Sequence, residues 1–341
     1  MIKLNSLGDN IVFVPVVQEL RRRYPTWELT LVTTPRESEL YGGPLAPQRL
    51  IVSPKPSFNK AYRRPWDLVR WILRIRKIKP DACLVAFDQS NVAHFVAKLS
   101  GARVRVGGNL ERIKISGSLT ENVPIPEDLR PVTWNWRMAQ ALVRASVNER
   151  ELPAAPPAPD LSHLLPFGPR AKGERPRIVV HPGAGGFLNQ WPKERFAAVA
   201  LSLSRDFDVV WIDHGAAAGT CPTGVIAARV TTISRLAEWL AGADLFLGNN
   251  SGPMHLANAL GRPGVAVTGP TTTGWDPFWN RERWTVLRHP NLACAPCEKT
   301  TVALTSCTNV ESPMACLNYW TADKVEAVCR LRLEQLKGGV L

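Results

Sequence analysis

Three short stretches place chemistry-bearing residues at the ends of apolar runs. The first is Asn5-Ser6-Leu7-Gly8-Asp9-Asn10. A carboxylate such as Asp9 can accept the proton of a hydroxyl that is attacking an electrophile; equally, it can cap the helix that follows. Gly8 permits a tight turn that a β-carbon would obstruct, and Asn10 stands beside it as a candidate ligand contact. The second stretch is His181-Pro-Gly-Ala-Gly185-Gly186, followed by Asn189 and Trp191-Pro192-Lys193-Glu194. Gly183, Ala184 and Gly185 leave backbone N–H groups accessible. Such a loop, with the positive end of the next helix, suits a diphosphate, although a plain strand-to-helix connection looks the same. Trp191 reads as a packing residue. The third stretch is Asn249-Asn250-Ser251-Gly252-Pro253-Met254-His255. Pro253 suits a first helical turn. Ser251 can cap that helix and reach a phosphate oxygen. His255 is either a buried core group or a donor to a leaving group whose negative charge grows in the transition state. Thr271, Thr272 and Thr273 could add hydroxyl contacts.

A fourth cluster carries sulfur. Cys294 and Cys297 form C-x2-C, and Cys307 and Cys316 follow at wider spacing. Four thiolates can hold a structural zinc or iron ion; reduced thiols or an occasional disulfide are the alternative. Cys83, Cys221 and Cys329 read as ordinary small residues.

These residues need a scaffold, and the apolar pattern supplies one. Strands are expected at Ile2–Asn5, Trp27–Thr33, Asp81–Phe87 and Ala102–Val106, and helices at Ile11–Tyr24, 66–79 and Asn91–Leu99. The first strand is shorter than the usual five to six residues or so. After a Pro-rich stretch at 152–176, which can neither continue a helix nor enter a central strand, alternation resumes. Strands are expected at Arg177–His181, Val209–Ile212, Leu245–Leu247 and Gly264–Thr268. Helices are expected at Pro192–Arg205, Ile233–Ala241, Ser251–Leu260 and Ala322–Leu336. Strand–helix alternation implies parallel sheets covered on both faces. The expected class is α/β, with a first Rossmann-like domain at 1–151, a linker at 152–176, a second at 177–320 carrying the cysteine cluster, and a terminal helix at 321–341.

The totals agree. At 341 residues the chain exceeds one ordinary core, and 45% hydrophobic with 21% charged residues is a globular composition. No apolar run approaches the roughly 20 residues that span a bilayer, and Asp9 and Asn10 interrupt the place where a signal peptide would be apolar, so a cytoplasmic location is expected. The net charge of +13, from 42 basic and 29 acidic residues, favours an anionic partner. Arg63, Arg64, Arg70, Arg74, Arg76, Lys77 and Lys79 cluster around the expected helix at 66–79, whose apolar positions are Leu68, Trp71, Ile72, Ile75 and Ile78. That basic face is either solvated or a peripheral contact with an anionic inner membrane or glycolipid. No nucleic-acid signature accompanies it.

The order of these motifs resembles glycosyltransferase family 9, the ADP-heptose:lipopolysaccharide heptosyltransferases. The resemblance rests on Asn5–Asn10, on His181–Gly185 with Trp191–Glu194, on Asn249–Ala257, on Gly261-Arg-Pro263 and Gly269-Pro270-Thr271, and on Cys294–Cys297. It implies a GT-B fold, two Rossmann-like domains with parallel sheets facing a central cleft. It further implies inverting transfer of a heptose from ADP-heptose to a lipopolysaccharide core or related glycan, without a catalytic metal. Asp9 would be the general base, with Gly8 and Asn10 beside the acceptor. Gly183, Ala184, Gly185, Asn189, Asn250, Ser251, Gly252 and His255 would line the nucleotide-sugar donor. Some relatives bind iron through cysteines like Cys294, Cys297, Cys307 and Cys316. Relatives commonly carry lysine where this chain has Asn189, aspartate where it has Asn250, and a ribose-binding glutamate where only Asp213 or His214 could serve. A sugar-nucleotide epimerase of the same fold and a non-catalytic sugar-nucleotide or glycolipid binder are the rival readings; the first would act without an acceptor, and the second would bind without turnover.

Overall fold

A computed structural model describes residues 1–53, 65–87, 90–108, 110, 113–146, 152–171, 173, 175–213, 219–298 and 304–337. Arg63, Arg64 and His214 lie outside these. The chain divides into two compact units, Met1–His163 and Leu164–Leu341.

In the first unit, β1 (Thr30–Thr33) pairs in parallel with β2 (Arg49–Val52), and β3 (Ala82–Val85) with β4 (Val104–Gly107), which pairs with β5 (Glu121–Asn122). The N-terminal residues join the two ladders. Ile2 bridges in parallel to both Val32 and Val85. Its N–H donates to Leu84 O at 2.8 Å, and the Lys3 N–H donates to Val32 O at 2.9 Å. The expected first strand is therefore a single central rung. The resulting order, β2-β1-Ile2-β3-β4-β5, places the chain's start at the centre of the sheet. There the chain connections diverge to opposite faces, which is where open α/β sheets place ligands.

The helix expected over Ile11–Tyr24 is two helices, α1 (Leu7–Ile11) and α2 (Val14–Arg23). Pro15 sits in the first turn of α2. It has no N–H to give to the carbonyl four residues earlier, Ile11, so a continuous helix is broken there. Gly8 and Asp9 consequently lie within α1 instead of in a turn before it, and Gly8 is absent from the residues of positive φ. The helix expected at 66–79 is α3 (Pro65–Arg76), ending early. Lys79 precedes Pro80, which disfavours a helical conformation, and takes φ 53°. Trp71, Ile72 and Ile75 pack into a core with Ile2, Val32, Ile51 and Val85. α4 (Asn91–Leu99) matches its expected bounds, and its N-cap Ser90 accepts from the Ala93 N–H. α5 (Pro131–Ser146) was not foreseen. Its Trp134 lies so close to Gly108 that a β-carbon there would meet the indole at 2.1 Å. Residues 152–163 pack on this unit: Trp136 Nε1 donates to Pro153 O at 2.8 Å, and Gln18 exchanges hydrogen bonds with the Asp160 backbone.

In the second unit, β6 (Arg177–His181), β7 (Asp208–Asp213), β8 (Ile226–Arg229), β9 (Leu245–Asn249), β10 (Gly264–Val267) and β11 (Trp284–Leu287) form one parallel sheet. Its order is β11-β10-β9-β6-β7-β8. Here β6 and β9 flank the switch in direction. The helices are α6 (Lys193–Leu203), α7 (Ile233–Ala241), α8 (Gly252–Ala259), α9 (Ala315–Asn318) and α10 (Ala322–Lys337). α10 packs on α6 through Val325, Cys329 and Leu333 against Phe196, Val199 and Leu203, and Arg330 ties Asp206 at 2.8 Å to Glu326 at 2.9 Å. Among the described residues no helix is long and apolar enough to cross a membrane.

Candidate functional site

Asp9 is half-buried, at the third position of α1. It is not an N-cap; Ser6 is, and its side chain does not cap. Instead, Ser6 Oγ donates to Asp9 Oδ2 at 2.7 Å, which orients the carboxylate. Asn10 is fully buried and turned inward. Its amide donates to Asn5 O at 2.8 Å and Ser6 O at 3.0 Å, and its carbonyl accepts Tyr41 Oη–H at 2.8 Å. Burial, then the charges of Glu37 and Asp9, pushes the Tyr41 hydroxyl up, so it stays a donor. Asn10 is thus a brace that ties α1, which carries Asp9, to the residues before it, with no surface left for a ligand; Gly8 is buried beside it. Lys3, which sequence reasoning missed, is fully buried, and its Nζ donates to Phe87 O. That bond ties the carboxyl ends of the two central strands together.

In the second unit the switch-point strands β6 and β9 end in the two expected loops. Asn249, fully buried, holds them together. Its amide donates to Pro182 O at 2.8 Å and Gly183 O at 3.2 Å, and its carbonyl accepts the Trp191 N–H at 2.9 Å. Trp191 is a packing residue, wholly buried, with Nε1 on Trp320 O at 2.9 Å and its ring edge-on to Phe196. Gly183 and Ala184 are half-buried and Gly185 is exposed. Gln190 Nε2 pins the loop through Ala184 O at 2.9 Å. Ser251 does not cap α8: its Oγ turns back to Asn249 O at 3.2 Å. Ser251, Gly252 and Pro253 remain half-exposed at the start of a helix without a side-chain cap, an arrangement that leaves N–H groups and the helix dipole for an anion. His255 is buried, edge-on to Trp275 at 6.0 Å, and burial pulls its imidazole down to about 4. It is neutral at pH 7.

Asn189 and Asn250 each sit beside an acid that sequence reasoning missed. Asn189 accepts Thr271 Oγ1–H at 2.8 Å, and its amide reaches Glu298 Oε2 at 3.3 Å. The Asn250 amide reaches Asp276 Oδ1 at 3.5 Å, where Arg288 also binds at 2.5 Å. Arg288 additionally donates to Thr271 O and to Thr272 O. Thr271 and Thr272 are therefore held by the β11 end, and both are buried. Glu298 left no sequence signal beyond its place after Cys297.

Cys294, Cys297, Cys307 and Cys316 line one cavity of about 10 Å³ with Leu188 and Met314, room for about one water-sized occupant. The Met314 N–H points at Cys307 Sγ at 3.4 Å. All the cysteines are unbonded. Burial, with the neighbouring sulfurs of Cys297, Cys307 and Cys294 adding to it, pushes the Cys316 thiol up to about 11. Among the described residues no three of His, Cys, Asp and Glu stand as a formed ligand set. The sequence contains an Asp-x-Asp pair, Asp206-Phe207-Asp208, a type of pair that can hold a metal ion. It lies at the amino end of β7, and Asp206 is paired with Arg330, so it stands at the opposite ends of the strands from the two loops.

The family model for glycosyltransferase family 9 (heptosyltransferase) matches residues 70–307. Lipooligosaccharide heptosyltransferase 2 of Campylobacter jejuni serotype O:2 is 33% identical over 161 residues, 41% of this chain and 50% of that protein. The matched segment thus spans half of that relative's length. Lipopolysaccharide heptosyltransferase 3 of Escherichia coli is 25% identical over 300 residues, 80% of this chain and 84% of that one. Among solved structures, the E. coli heptosyltransferase WaaC with ADP superimposes with a TM-score of 0.69 at 17% identity, over 97% of this chain and 98% of that one. The fold is accordingly GT-B, built from two parallel α/β units.

Proposed function

The chain belongs to glycosyltransferase family 9 (heptosyltransferase), and from that premise we propose that it transfers a heptose from ADP-heptose to a lipopolysaccharide core sugar with inversion. The observation that carries the proposal is the pair of loops at 182–189 and 250–252, bound together by Asn249 at the switch point of the second unit's sheet. Such a site, with N–H groups and an uncapped helix N-terminus, suits the diphosphate of a nucleotide sugar.

In the proposed reaction the acceptor hydroxyl oxygen bonds to the anomeric carbon as the bond from that carbon to the diphosphate oxygen breaks. ADP leaves with the electron pair, and the hydroxyl proton passes to Asp9. One displacement inverts the anomeric centre. Gly183, Ala184, Gly185, Ser251 and Gly252 would hold the diphosphate, and His255 would give a neutral N–H to the developing charge. Asn189, with Thr271 and Glu298, and Asn250, with Asp276, would contact the donor through neutral amides.

The glycolipid acceptor would meet the protein at the inner membrane face. Supporting this, the outer face of α3 exposes Trp66 at 74%, with Val69 and Leu73, beside Arg70 and Arg74, and Lys77 follows just past its end. Aromatic and aliphatic groups interleaved with cations suit an anionic interface. The four thiols around one small cavity suit a structural zinc or iron ion. Elemental analysis of protein purified under reducing conditions should find such an ion, at a level reduced in Cys297→Ser; absence from the wild type contradicts it.

Acceptor-dependent release of ADP from ADP-heptose tests the main reading. Release that requires a core acceptor, with the heptose appearing on it, supports transfer. Epimerised or free sugar nucleotide without an acceptor, or binding without turnover, supports the rival readings.

A further inference from the structure

The second unit has another cavity, at the amino ends of its strands, opposite the loops just described. It measures about 250 Å³ and is lined by Pro176, Asp244, Arg262, Pro263, Arg283 and Leu336 among others. Pro176, Asp244, Pro263 and Arg283 immediately precede β6, β9, β10 and β11.

Two guanidinium groups share this space. Arg262 Nε donates to Leu260 O at 3.2 Å and Arg283 Nη1 to Gly261 O at 2.9 Å, so one turn of backbone anchors both. Neither forms an ion pair among the described residues, and both are half-buried. Burial, then the like charge of Arg283, depresses the Arg262 pKa, and Asp244 only partly offsets this. Asp244 is itself engaged, accepting the Arg177 N–H at 2.8 Å. Two like charges held together and half-desolvated carry a cost. An anion with several acceptor oxygens, bridging both forks, removes that cost. The volume far exceeds the ~10–15 Å³ that admits one water. Beyond the arginines, Pro176, Pro263, Leu333 and Leu336 offer an apolar wall, and Asp244 offers a carboxylate.

We propose that this cavity binds a small phosphate monoester of sugar-phosphate size, its phosphate across Arg262 and Arg283 and its hydroxyls toward Asp244. The site lies at the opposite ends of the strands from the loops proposed to hold the donor, and Leu333 and Leu336 place α10 against its occupant.

Isothermal titration of the full chain, with ADP in excess to occupy any donor site, tests this. The probes are glucose 6-phosphate, inorganic phosphate and glucose. Glucose 6-phosphate should bind, inorganic phosphate more weakly, and glucose not at all. Arg262→Gln and Arg283→Gln should each weaken glucose 6-phosphate by about tenfold or more, the loss of a charge-assisted contact, with unchanged thermal midpoints. Arg283→Gln serves alone if Arg262→Gln unfolds. No binding of glucose 6-phosphate to the wild type, equal binding of glucose, or unchanged binding in Arg283→Gln would overturn the site. Equal affinity for inorganic phosphate would overturn the claim that the sugar-sized body is recognised.

Discussion

Single residues divide here into those that would touch substrate and those that hold them in place. Asp9 was legible as a carboxylate near the end of the first apolar run, but neither its place inside α1 nor its support was. A buried amide, Asn10, fastens two carbonyls of the loop and a tyrosine hydroxyl, and nothing in the spelling Gly-Asp-Asn separates brace from ligand. Asn10→Ala should leave those groups unpaired, lower stability by about 2 kcal/mol, and reduce turnover through a displaced Asp9; urea denaturation beside an activity assay checks both. At position 255 the sequence left a core group and a phosphate donor open, and the buried, edge-on contact with Trp275 accommodates both. Because burial holds His255 down near 4, its charge should not change between pH 6 and 8. The rate profile should therefore show no step near 6.5 from this residue, and His255→Gln, which keeps an N–H, should lose less activity than His255→Ala. A step near 6.5 that vanishes in His255→Gln contradicts the assignment. The asparagines at 189 and 250 read as lost charges. The acids beside them, Glu298 and Asp276, come from 109 and 26 residues away, a pairing that no local pattern reveals.

Elements were legible where their signal was local. α7 falls on its expected bounds because Thr232 caps it, accepting the Arg235 N–H, and its apolar face is regular. The helix after Asp9 was misread because apolar spacing ran unbroken from Ile11 to Leu20, while Pro15 denied the hydrogen bond that continuity needs. α5 was missed although Pro131 marks its first turn and Trp134, Met138 and Leu142 follow at helical spacing. Edge strands β2 and β8 were missed because each buries only one of its four residues, which leaves little pattern. α3 shows a burial pattern finer than the sequence one. Trp71, Ile72 and Ile75 face the core, yet Trp66, Val69 and Leu73 face out. Trp66→Ala with Leu73→Ser should abolish sedimentation with vesicles containing anionic phospholipid at low salt while leaving the fold intact. Equal sedimentation of the variant would show that this face is merely solvated.

At the scale of the molecule, both units repeat one topology, with the first strand central and the crossovers diverging on either side of it. Alternation of strands and helices carried that much; the division falls between His163 and Leu164. Stability should follow two buried histidines. His94, on Ser118 Oγ at 2.9 Å, and His255 are both depressed to about 4 by burial. Between about pH 6.5 and 4 the unfolded chain binds protons that the folded chain refuses, so stability falls as pH falls through that window and levels off below it. Each contributes up to about 3 kcal/mol; urea midpoints at pH 7.5 and 5 should differ less in His94→Gln. The central claim, however, is that the first unit supplies the base and the second holds the donor. Its most direct test is single-turnover transfer from ADP-heptose to core acceptor by the wild type and Asp9→Asn, with ADP affinity measured on both. The account predicts unchanged ADP affinity and a transfer rate lowered about 10²–10⁴-fold; a rate within a few fold of wild type would contradict it.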